Sequence, residues 1–178
     1  MIRLFVALQL DPLTRSLLGS LGKSIPGARP VPEEQIHLTI RFIGEVDGAL
    51  YHDIRESLGG VKAPPISLYV KGVGHFPPRG KPRVIWAGVE PAGDIIILRH
   101  KINRALLECG LAPEKRKFHP HVTLARLKNV PAGKLVHFLA GNSLLQSPPV
   151  MINKMTLYSS SLTPQGARHT IESEYGFE

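Results

Sequence analysis

Residues 2–9 (IRLFVALQ) form an aliphatic run without turn residues and predict a strand. Asp11 and Pro12 follow as an N-cap and a first-turn proline, and Leu13, Leu17, Leu18 and Leu21 recur at helical spacing up to Gly22. A Pro- and Gly-rich loop is expected over 24–34, then a strand over 35–43 (QIHLTIRFI). Asp47 can cap a helix carrying Leu50, Ile54 and Leu58 that ends at Gly59-Gly60. A strand over 66–74, a basic turn at 77–82 (PPRGKP) and a strand over 83–89 come next. They are followed by a helix over 94–109 stopped by Gly110, a strand over 119–127 and a short helix near 132–140. Strands near 150–158 and 167–174 close the chain.

This pattern contains an echo. RLFVAL (3–8) is similar to RVIWAGV (83–89), with Arg3 matching Arg83 and Ala7 matching Ala87. Each segment leads through a helix and a loop to a strand with a histidine, HLTI (37–40) and HVTL (121–124). Two related units in one globule are expected.

The 178 residues suit one domain or two tightly joined lobes and are enough for a buried core. No apolar run reaches the ~20 residues of a membrane span. The N-terminal segment lacks a small-residue cleavage site, so no signal peptide is expected. The single cysteine, Cys109, excludes an internal disulfide framework or a multi-cysteine zinc site and fits a cytoplasmic location. It reads as a half-buried apolar side chain.

Charge narrows the partner class. The net charge is +8, and residues 115–171 hold Lys115, Arg116, Lys117, Arg126, Lys128, Lys134, Lys154 and Arg168 without a single Asp or Glu. Such a segment either aids solubility or meets an anion such as phosphate or RNA.

The candidate chemistry lies in the repeated His–apolar–Thr–apolar motif. Alternation along a strand turns His37 and Thr39 to one face and Leu38 and Ile40 to the other, and likewise His121 and Thr123 against Val122 and Leu124. With 8 histidines in a 43% apolar chain, one chance occurrence is expected in roughly one chain in twenty, and two in about one in a thousand. A single copy would be read as a strand-forming Thr beside a satisfied imidazole. Two copies point to a shared polar cleft.

Those motifs, with RPVPEEQIHLTIRFIGEV (29–46), GHFPPRGKPRVIWAGVE (74–90), ALLECGLAPEKRKFHPHVTLAR (105–126) and LYSSSLTPQGARHTIESEYGF (157–177), give the chain its resemblance to a known family. It resembles the RNA 2′,3′-cyclic phosphodiesterases of the 2H phosphoesterase superfamily, first named bacterial 2′–5′ RNA ligases, and both signature motifs are intact. The resemblance implies an α+β fold. It would be a single domain over 1–178, made of two pseudo-symmetric lobes with mainly antiparallel sheets facing a central cleft, each contributing one motif. The implied activity is metal-independent opening of a 2′,3′-cyclic phosphate on RNA ends or nucleotides to a 2′-phosphomonoester, with no cofactor, by a monomer. His37 would be the proton donor and His121 the proton acceptor. On the residues alone the two roles are interchangeable.

Histidine suits both roles because its ordinary pKa is about 6.5. Thr39 and Thr123 can donate hydrogen bonds to non-bridging phosphate oxygens. The resemblance implies that Arg126 helps hold the phosphate, although it is an odd number of residues after His121 and needs a bend, a bulge or a long reach to share its face. His119-Pro120-His121 also has the form of a metal-binding pair that His37 could complete. The Thr residues would have no role in such a site. His52, His100 and His137 read as helix surface and His169 as strand surface. His75 reads as a loop residue that could reach substrate. Phe42, Phe76, Trp86, Phe118 and Tyr158 could each stack on a base or belong to the core. Two other outcomes stay open: 2′–5′ ligation, the same proton transfers reversed, and an RNA-end-binding module without turnover.

Overall fold

The computed structural model describes residues 1–178. Nine antiparallel strands carry the architecture. β1 (Ile2–Gln9) lies between β3 (His37–Val46) and β8 (Lys154–Thr163), and β8 turns directly into β9 (Gly166–Gly176). A second group is formed by β4 (Ile66–Phe76), β5 (Val84–Glu90) and β6 (His121–Arg126), with the short β7 (Val150–Ile152) on the edge of β4. The two groups meet where β3 touches β6, at the single pairing Leu38–Val122. That junction sets the second residues of the two HxTx motifs side by side. The two-residue β2 (Arg29–Pro30) adds to β6.

Four helices cover one face: α1 (Pro12–Lys23), α2 (Gly48–Gly59), α3 (Gly93–Glu108) and α4 (Ala132–Gly141). Asp11 and Asp47 cap the first two as expected, each side chain accepting from the backbone N–H three residues on. Beneath the helices, 34 buried side chains form one core that includes Leu38, Ile40, Val122 and Leu124. On the opposite face, Phe5, Ala7 and Tyr158 form a small separate cluster. The motif strands are therefore apolar toward the helices and polar toward the cleft. This is an α+β fold with two antiparallel groups of strands flanking a cleft.

Several expected details differ. α1 buries only part of its leucine stripe: Leu18 is buried and Leu21 half-buried, but Leu13 and Leu17 are 81% and 42% exposed, and Thr14, Gly19 and Gly22 face inward as well. The cause is a close approach of α1 to β6. A Cβ on Gly22 would stand 2.6 Å from the Leu124 carbonyl oxygen. The strand expected over 150–158 divides at Asn153, and its pieces β7 and β8 join opposite ends of the sheet. The loop expected over 24–34 contains β2, and a 3₁₀ turn (Glu33–Gln35) follows at its end.

The echo of RLFVAL in RVIWAGV also aligns one residue out of step with the structure. Ala7 pairs with Thr39, but Ala87 pairs with Val122, and Trp86 stands opposite Thr123. A one-residue slip exchanges the faces of a strand. Ala7 accordingly belongs to the cleft-side cluster and Ala87 to the main core.

Candidate active site

The fourth residue of each motif is the key to its geometry. Along β3, Thr39 pairs with Ala7 and Arg41 with Val6, which leaves Ile40 as the extra residue of a β-bulge. Along β6, Thr123 pairs with Trp86 and Ala125 with Ile85, which leaves Leu124 in the same position. The Leu124 carbonyl turns to accept from the Val31 N–H at 2.9 Å. Each bulge resets the alternation by one residue. Arg126, five residues after His121, thereby shares its face, and so does Phe42, five residues after His37. Arg41 turns inward instead, 4% exposed, and pairs with Glu114 at 3.5 Å.

One cleft of about 660 Å³ is lined by His37, Thr39, His121, Thr123 and Arg126 together. Arg3, Arg29 and Arg168 also border it, and no carboxylate does. Low-dielectric walls with only positive charge focus a field that attracts anions. Two of the arginines are already engaged: Arg3 with Glu45 at 3.0 Å, and Arg29 with the Gln165 carbonyl.

The two imidazoles are held similarly. His121 Nδ1 lies 2.6 Å from the His119 carbonyl oxygen. A carbonyl only accepts, so Nδ1 carries the hydrogen and Nε2 of the neutral ring keeps its lone pair. His37 Nε2 is 3.0 Å from Thr39 Oγ1, and the ring also has a hydrogen bond with the Gln35 backbone. In both motifs the supporting backbone group lies two residues upstream.

Aromatic rings frame each histidine. His37 stacks on Phe5 with centroids 5.1 Å apart, and Tyr158 and His169 stand 5.9 and 5.4 Å away. His121 meets Phe76 edge-on at 4.9 Å, with Trp86 at 6.2 Å. Burial disfavours the charged ring. It is the main reason that His37 is lowered to about 4, helped by the nearby His169 and opposed by the Gln35 hydrogen bond. His121 is also lowered, mainly by burial, against the raising effect of the His119 carbonyl.

His169 does not sit on an outer strand surface. Ser160 pairs with Arg3 on one side and His169 on the other, and that register carries His169 into the cleft beside His37. Phe5, which no sequence pattern singles out, is the ring beneath His37. Of the other aromatic candidates, Phe42 is 61% exposed on the cleft, Phe76 and Trp86 border His121, and Tyr158 is buried against Phe5. Phe118 lies under Arg99 at 4.6 Å. His75 belongs to β4, not to a loop, and its Nδ1 contacts the Pro77 carbonyl at 2.8 Å. The HxH pair does not gather with His37: the His119 ring rests 4.8 Å from Trp86, and no three His, Cys, Asp or Glu side chains converge as metal ligands. Cys109 is half-buried at the end of α3. No helix is long and apolar enough to cross a membrane.

A family model described as the 2′-5′ RNA ligase superfamily matches residues 22–163. The chain belongs to that superfamily. Among curated members, an RNA 2′,3′-cyclic phosphodiesterase of Aeropyrum pernix is 39% identical over 142 residues, 78% of this chain and 80% of its own length. One from Thermotoga maritima is 34% identical over 99% of this chain and 96% of its own. In three dimensions the superfamily fold is matched by Thermus thermophilus TT0787, with a TM-score of 0.78, 25% identity and coverage of 98% and 97% of the two chains. E. coli LigT in apo form superposes with a TM-score of 0.80 at 24% identity, covering 99% of this chain and 97% of its own. LigT has also been solved in complex with 3′-AMP and with ATP.

Proposed function

We propose that this protein is an RNA 2′,3′-cyclic phosphodiesterase acting by paired histidines, without a metal or other cofactor. The carrying observation is that both HxTx motifs, neighbours at the Leu38–Val122 contact, line one cleft free of carboxylates. The curated relatives bear the same activity in their names. LigT structures with bound 3′-AMP and ATP support nucleotide recognition by this fold.

The reaction needs two proton transfers around one phosphorus. His121, with Nε2 open, removes a proton from water as the water oxygen bonds to phosphorus. The bond from phosphorus to the ribose 3′ oxygen breaks, and His37 protonates that oxygen through Nε2. The product is a 2′-phosphomonoester, and His121 then releases its proton to solvent while His37 takes one up, which restores the starting state. Thr39 and Thr123 donate to the non-bridging oxygens as negative charge accumulates on them. In the empty cleft the Thr39 hydroxyl donates to the lone pair of neutral His37 Nε2 at 3.0 Å. Protonation of that ring frees the hydroxyl for a phosphate oxygen, and Arg126 adds a fixed positive charge.

Burial leaves His37 neutral in the empty cleft near pH 7. A cyclic phosphate carries one negative charge, and an anion within a few ångströms favours the imidazolium. The substrate thus supplies part of what its proton donor requires. His37 as donor and His121 as acceptor follow the family resemblance; the empty cleft, which holds His37 down at about 4, does not impose that order. Ligation with a 5′-hydroxyl would use the same groups in reverse.

The test is to incubate the protein with an oligonucleotide ending in a 2′,3′-cyclic phosphate, in excess chelator, and map the product. Hydrolysis to a 2′-phosphate is expected. A 3′-phosphate would reverse the leaving oxygen, loss of turnover restored by zinc would replace the mechanism with a metal-assisted one, and binding without product would leave a recognition module.

A further inference from the structure

We infer that a second cavity behind His37 is the subsite for the penultimate nucleotide of an RNA strand, with Arg168 holding the phosphodiester that joins it to the reacting terminus. This rests on the phosphodiesterase reading, which places the reacting phosphate against His37.

The cavity measures about 410 Å³ and shares Gln35, His37, Arg168 and His169 with the main cleft. Ligand sites commonly enclose roughly 300–1,000 Å³, so the space suits a nucleotide. The shared residues make it a continuation of the cleft, entered past the imidazole that faces the phosphate. A free mononucleotide ends at its ribose. In an RNA strand, a phosphodiester follows at a fixed spacing, and that is what an extension of this kind can take.

Its charges point the same way. Arg168 borders both spaces, is exposed, and makes no ion pair or side-chain hydrogen bond. That separates it from Arg29 and Arg3, which are held by the Gln165 carbonyl and by Glu45. Arg15 of α1 reaches the far wall, and its Nε is buried with no partner. A buried donor left unsatisfied is costly, and a phosphate or base oxygen would satisfy it. The carboxylate on the lining, Glu34, stands exposed. Gln9 and Tyr158, already hydrogen-bonded to each other, offer further polar atoms for a ribose or base.

The experiment compares kcat/KM for a trinucleotide ending in a 2′,3′-cyclic phosphate with that for cytidine 2′,3′-cyclic phosphate, in the wild type and in Arg168→Gln. Arg15→Gln serves as a second variant, with thermal melting to check its fold. The wild type should favour the trinucleotide, and Arg168→Gln should lose roughly tenfold more on it than on the mononucleotide. Its trinucleotide salt dependence should fall by about one phosphate contact. Equal losses on both substrates would place Arg168 on the reacting phosphate, and no loss on either would remove the subsite; both overturn the inference. Binding of a 3′-phosphorylated trinucleotide to the same proteins is read in parallel. If the wild type turns over neither substrate, the phosphodiesterase reading fails. The subsite then stands or falls on whether Arg168→Gln weakens that binding.

Discussion

The central chemical tension is in single residues. His37 must deliver a proton near neutral pH, yet burial holds it at about 4 in the empty cleft. NMR titration of the free protein should find one strongly acidic imidazole, assigned by its absence in His37→Gln. Saturation with a nucleoside 2′-phosphate should move it up toward neutrality. A resonance fixed at its free value would reverse the donor and acceptor. The same shift has a stability consequence. The folded pKa lies below the unfolded value of about 6.5, so the unfolded chain binds the extra proton and stability falls as pH drops from about 6.5 to 4. Over that window the contribution lost is roughly 3 kcal/mol, less where solvent reaches the ring, and His37→Gln should lose correspondingly less in urea melts at pH 7 and pH 4. At the threonines, Thr39→Val and Thr123→Val should each lower kcat by roughly 10²-fold, the scale of losing a transition-state hydrogen bond. A KM effect with kcat unchanged would make them ground-state contacts only.

Among the elements, the bulged strands explain what the sequence disclosed and what it concealed. Alternation in HLTI and HVTL correctly divides His37, Thr39, His121 and Thr123 from the apolar positions. It fails after the fourth residue because Ile40 and Leu124 each stand opposite no partner. Nothing local in the sequence marks such a bulge, so the resemblance could imply Arg126 at the phosphate but not how Arg126 or Phe42 turns to the cleft face. The buried face of α1 keeps Leu18 and Leu21 but turns Leu13 and Leu17 outward, for a related reason. Four leucines carry the stronger helical signal, but tight contact with the bulged strand selects Gly22, whose importance lies in a missing Cβ. Gly22→Ala should therefore cost roughly 1–3 kcal/mol from the clash with Leu124, although helix propensity alone would make the change stabilising. Equilibrium unfolding checks this, and a stabilised variant would show that α1 moves away freely.

Across the whole molecule, local periodicity revealed most strands and helices because each has its own turn or cap signals. It could not reveal which strands become neighbours. His169 reaches His37 only through the β8–β9 hairpin register, more than 130 residues after the motif it adjoins. The acid-free stretch was legible in composition, but its effect depends on Arg126 and Arg168 reaching a cleft that Arg3 and Arg29 also border. A trinucleotide should consequently bind more weakly as salt rises, with log Kd changing by about 0.7 per phosphate contact for each tenfold in salt. A flat dependence would mean that these arginines do not meet phosphate.

The most direct measurement is turnover of a cyclic-phosphate-ended RNA by His37→Ala and His121→Ala, each checked for retained nucleotide binding. Each variant should fall by about 10²–10⁴-fold, the range for losing a proton-transfer group. Turnover near the wild-type rate in either one would contradict the paired-histidine account.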